Sequence, residues 1–61
     1  MKHPKQYYRG LNFSGFRWFC YESGWHLFSK KVGEKYAQMK CTEQDIEDGN
    51  AEEMAREGLT K

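Results

Sequence analysis

Little in this sequence suggests a membrane, a cofactor or a catalytic centre. No apolar run is long enough to cross a bilayer, and the N-terminal MKHPKQYYRG has no apolar stretch like that of a signal peptide. The chain therefore reads as soluble, with the cytoplasm as its expected location. There are only two cysteines, Cys20 and Cys41, and no C-x-x-C pair. In a reducing compartment they read as buried thiols, a disulfide being the alternative. Zinc needs about four ligands, and Cys20, Cys41, His26 and His3 show no metal-binding spacing. No metal or other cofactor is expected. No glycine-rich loop cradles a phosphate; Gly10, Gly15, Gly24 and Gly33 are better placed for turns or bulges.

What the sequence does have is aromatic rings. Apolar residues make up 38% of 61 residues, yet ten of them are Phe, Tyr or Trp, each with a large area to bury. A chain of this length is one domain at most, residues 1–61, with 1–6 expected as a flexible N-terminal arm. Such a domain buries only about 60% of the surface its unfolded chain exposes. A few large rings must therefore make the core.

A short repeat organises those rings. Ser14-Gly15-Phe16-Arg17-Trp18-Phe19 is followed nine residues later by Ser23-Gly24-Trp25-His26-Leu27-Phe28. Two Ser-Gly pairs between aromatic runs fit two-residue hairpin loops, which need positive φ. Strands are expected over Tyr7 to Phe13, Phe16 to Glu22 and Trp25 to Phe28. The register then pairs Phe13 with Phe16, Leu11 with Trp18, Cys20 with Leu27 and Glu22 with Trp25. Opposed residues share a face. One face would hold Leu11, Phe13, Phe16, Trp18, Cys20, Trp25 and Leu27, the expected core. The other would hold Tyr8, Asn12, Arg17, Phe19, Tyr21, His26 and Phe28. A one-residue slip would exchange the faces.

From Ser29 to Cys41 the pattern fits a helix at Val32, Tyr36 and Met39, or a strand in which Ala37, Met39 and Cys41 alternate with Tyr36, Gln38 and Lys40. Gly33 favours the second, with a loop around Lys30 to Glu34 and a fourth strand from Lys35 to Cys41. Thr42 offers an N-cap and Asp45 an acid in the first turn. Gly49 is a candidate break, Asn50 with Glu53 a second cap arrangement, and Gly58 with Leu59 a terminator. Ile46, Ala51, Met54, Ala55 and Leu59 would face inward. The expected fold is thus α+β, an antiparallel meander of three to four strands followed by an acidic C-terminal helix. So little helical apolar surface covers one sheet face and leaves the other.

Charge is segregated along the chain. Residues 1–41 carry eight Lys or Arg against Glu22 and Glu34; residues 42–61 carry seven acids against Arg56 and Lys61. Either the two halves neutralise each other within the fold or they meet charged partners. The carboxylates from Glu43 to Glu57 read as a solvated helix face with nothing to shift their pKa values. In the register above Cys20 and His26 point to opposite faces, so no nucleophilic pair forms. No enzyme is expected.

The leftover face is the candidate site, with Tyr8, Arg17, Phe19, Tyr21, His26 and Phe28 as its binding residues. Rings and an arginine on one surface suit the buried centre of a protein interface. They also suit single-stranded nucleic acid, through stacking and phosphate contacts. A second copy of the chain would use the same surface, and the acidic helix could alternatively mimic a nucleic-acid backbone. A larger protein partner is the leading expectation. In brevity and aromatic content the chain resembles many small phage and mobile-element proteins that bind and block a host protein, which would place such an inhibitor in the host cytoplasm.

Overall fold

A computed structural model describes residues 2–56 and shows a small α+β fold: helix α1 (Lys5–Arg9), strands β1 (Asn12–Phe13), β2 (Phe16–Glu22), β3 (Trp25–Val32) and β4 (Lys35–Cys41), then helices α2 (Glu43–Glu47) and α3 (Asn50–Arg56). The strands form one antiparallel sheet in the order β1-β2-β3-β4. No helix among the described residues is long and apolar enough to cross a membrane.

Both Ser-Gly pairs are the loops. Ser14 and Gly15 have φ of 54° and 92°, and Ser23 and Gly24 have 51° and 85°, the double positive φ of a two-residue turn whose twist matches its strands. Asn12 Oδ1 accepts from the Gly15 N–H at 3.0 Å. Strand β4 spans the residues expected of it, but β3 runs on to Val32 and the third loop tightens to Gly33 and Glu34, since Val32 pairs with Lys35.

Two expectations are corrected. The strand expected over Tyr7 to Phe13 is mostly helix α1, opened by Pro4 at its N-cap with φ −67° and closed at Gly10. Proline suits a helix start because its ring presets φ, and Lys5–Arg9 contains no β-branched residue to oppose the helix. The second correction concerns the sheet faces. Phe13 pairs with Phe16, Cys20 with Leu27 and Glu22 with Trp25 as expected, but Trp18 pairs with Phe28 where an unbroken register requires Ser29. The shift lies between Trp18 and Cys20. One extra residue there, Phe19, makes a β-bulge, and two residues of β2 share the position opposite Leu27.

The bulge exchanges the faces of everything beyond it. Phe16 and Trp18 stay in the core, joined by His26 and Phe28 in place of Trp25 and Leu27. Met39 and Cys41 extend the same face from β4, while Tyr8 of α1 and Ala51 and Ala55 of α3 close over it. Leu11, Phe13, Ala37, Ile46 and Met54 pack around this core. The buried residues of α1 and α3 thus pack on this one face of the sheet.

The expected helix begins at Thr42 with a full capping box. Thr42 Oγ1 accepts from the Asp45 N–H and Asp45 Oδ2 accepts from the Thr42 N–H, each at 3.1 Å, an arrangement that satisfies two otherwise orphan donors. It breaks at Gly49, with φ 80°, into two short helices. Gly58 and Leu59 lie outside the described residues. Cys20 and Cys41 are both free thiols, the first half-buried and the second buried.

Candidate functional site

The six expected binding residues do not share one surface. Tyr8, His26 and Phe28 are fully buried, whereas Arg17, Phe19 and Tyr21 are exposed. Arg17 and Phe19 lie on the outer face; Tyr21 pairs with His26 across the strands and leans on its ring, centroids 4.6 Å apart, on the core side.

The buried polar members of that set form a chain. The Trp18 indole Nε1–H donates to His26 Nδ1 at 3.0 Å. Indole nitrogen only donates, so Nδ1 must be bare and the imidazole proton sits on Nε2. That proton is donated to Glu43 Oε1 at 2.9 Å, and the Tyr8 hydroxyl donates to Glu43 Oε2 at 2.5 Å. The Tyr8 oxygen in turn accepts the backbone N–H groups of Lys2 and His3, each at 3.2 Å. The residues expected as an arm thus end on this network. No buried side-chain N or O among the described residues lacks a partner.

The network shifts its own titrations. Burial pushes the Glu43 carboxyl up, but hydrogen bonds from Tyr8 and His26 outweigh it and hold the group below its ordinary value. Burial raises the Tyr8 phenol, reinforced by its hydrogen bond to Glu43. The expectation that no acid in this stretch is shifted is therefore corrected for Glu43. Cys41 is pushed up to about 12, first by burial and then by the charges of Asp45 and Glu43. Every polar atom of the network is engaged, and its effect is to tie the N-terminal segment, α1, the sheet and α2 together.

The outer face lies opposite the core that the helices cover, with Met54 of α3 reaching its end beside Trp25 and Leu27. Arg17, Phe19 and Cys20 come from β2, Trp25, Leu27 and Lys31 from β3, and Tyr36, Gln38 and Lys40 from β4. Phe19 is 46% exposed, Trp25 40% and Tyr36 68%, and the Lys40 ammonium lies 5.2 Å over the Trp25 ring. An aromatic and basic surface therefore exists as anticipated, but Trp25, Tyr36, Lys31 and Lys40 take the places given to Tyr8, His26 and Phe28. Alternation in β4 already aligned Tyr36 with Gln38 and Lys40. For Trp25 the available signal was the unbroken apolar run Trp18 to Tyr21, which no alternating strand explains.

The basic and acidic halves of the chain meet at Lys2 and Glu47, but not on the outer face. The described ion pairs join Lys2 to Glu47 and Arg56 to Glu52, with His3 beside Glu47 and the neutral His26 hydrogen-bonded to Glu43. Among the described residues, Arg17, Lys31 and Lys40 pair with no carboxylate. Neutralisation of the sheet by the acidic helices does not occur through ion pairs there. No family model, curated protein or solved structure matches the chain.

Proposed function

We propose that this protein is a non-catalytic interaction module that docks a larger protein on the outer face of its sheet. The observation that carries the reading is the exposure of Phe19, Trp25 and Tyr36 on the face opposite the helix-covered core. Aromatic residues and arginine dominate the energetic centre of protein interfaces. Occluding a partner's own site is the action that fits so small a surface, in the manner of the small inhibitory proteins the sequence resembles.

The test is capture by the tagged full chain compared with a Phe19→Ala, Trp25→Ala, Tyr36→Ala variant. All three side chains are exposed, so the variant keeps the wild-type far-ultraviolet circular dichroism. A partner held by wild type and released by the variant supports the reading; equal retention refutes it. Sedimentation of the isolated chain identifies the rival occupant, a second copy, by a doubled mass that the variant halves.

A second reading draws on Arg17, Lys31 and Lys40, opposed on this face by Glu22 among the described residues. It predicts oligo-dT binding that weakens steeply with salt, as counterion release requires.

A further inference from the structure

We infer that the partner segment docking on this face presents an apolar side chain flanked by carboxylates, seated in the hollow of Trp25, Leu27 and Met54 with a carboxylate on Lys40. This rests on the outer face being the binding surface, as proposed above. Trp25 and Leu27 of β3, Gln38 and Lys40 of β4 and Met54 of α3 line the hollow, and Glu22 with Ser23 bounds it. Its apolar members suit an aliphatic or aromatic anchor, since burying one such side chain supplies most of the favourable free energy at a small interface.

The charge pattern selects what surrounds the anchor. Lys40 stands opposite Leu27 in the register and over the Trp25 ring, with no carboxylate in ion-pairing reach among the described residues. Three of the chain's acids are engaged elsewhere, Glu43 by His26 and Tyr8, Glu47 by Lys2 and His3 and Glu52 by Arg56, while Asp45 and Glu53 lie beside Met54 at the far side of the hollow from Lys40. A carboxylate on the partner segment thus meets Lys40 without first displacing an internal carboxylate. Glu22 favours a peptide over a nucleic-acid strand. It pairs with Trp25 across the strands, so a continuous row of phosphates through the hollow would meet a carboxylate, whereas a peptide can confine its acids to the Lys40 side.

The experiment pans the full chain with displayed random short peptides. Selected peptides, each carrying a fluorescent label, are then measured by anisotropy against wild type, Trp25→Ala and Lys40→Glu, with oligo-dT as competitor. Expected are sequences pairing Leu, Met or Phe with Asp or Glu, binding each variant about tenfold more weakly and losing affinity at high salt, with no displacement by oligo-dT. Peptides without acids that still need Trp25 overturn the inference and leave the outer face as the binding surface. Peptides indifferent to both substitutions, or no selected peptide at all, overturn the inference and the proposed function together. Displacement by oligo-dT overturns the inference in favour of a single strand. Unchanged circular dichroism in both variants verifies that binding, not folding, is read.

Discussion

The rings of Tyr8 and His26 stack with centroids 4.4 Å apart, and both side chains converge on one carboxylate, that of Glu43. Residues from α1, β3 and α2 are thereby locked to one another. Burial alone would not select this geometry, because a polar group in a core is stabilising only when its partners are in place. The network is accordingly where small changes should have large effects.

Tyr8→Phe keeps the ring and removes the hydroxyl that serves Glu43 and two backbone N–H groups. Loss of about 1–3 kcal/mol is expected for the unmet groups, which for a domain of this size lowers Tm by roughly 4–8 °C per kcal/mol. Thermal unfolding followed by circular dichroism reads this directly. An unchanged Tm would show that the hydroxyl is not part of the stabilising network.

Acid should weaken the fold through Glu43. Its carboxyl is lower in the folded state than its ordinary value, so the unfolded chain binds the proton more readily. The stabilisation is complete above about pH 4.3, the ordinary glutamate value, and is lost as pH falls through the folded value. Denaturant midpoints should therefore drop on acidification in wild type. In Glu43→Gln the drop should be smaller and stability near neutrality lower. Parallel curves for the two proteins would contradict this.

The two thiols should separate cleanly under a disulfide reagent. Cys20 is half-buried on the outer face, and Cys41 is buried with its thiol pushed up to about 12. The thiolate is the reactive form, so near neutral pH one equivalent should react fast and the second only as the chain opens. Cys20→Ser should abolish the fast phase. Cys41 sets a limit at high pH as well: its raised value stabilises the fold up to about pH 9, and that contribution disappears as pH climbs toward the folded value.

Deleting Phe19 should leave a folded protein. The residue is the extra one in the bulge, and without it Phe16, Trp18 and Tyr21 keep the core side while Arg17, Cys20 and Glu22 keep the outer side. Deleting Tyr21 instead would bring Glu22 beside the buried His26 and should abolish cooperative unfolding. Amide hydrogen exchange distinguishes the two. Equal protection in both deletions would refute the bulge as the point where register is set.

What could be read from the sequence was local. The Ser-Gly loops, the β4 alternation, the Thr42 cap and the Gly49 break each depend on a few adjacent residues. The exchange of His26 and Phe28 for Trp25 and Leu27 depends on how β2 pairs with β3, and an extra residue in a strand leaves little local mark. The apolar run Trp18 to Tyr21 was that mark. Helix α1 was missed because Tyr7 and Tyr8 have strand propensity, whereas Tyr8 gains its full burial only by leaving the strand for the stack on His26. Glu43 looked like one acid of many until the fold placed a phenol and an imidazole against it.

Arg17, Lys31 and Lys40, unpaired with any described carboxylate and accompanied by Glu22, give the molecule a positively charged outer face. In the field of a negatively charged partner the molecule would rotate before contact, so that most collisions begin with this face foremost. Ionic strength should then govern how fast complexes form more strongly than how long they last, a kinetic signature legible even before the partner's surface is mapped.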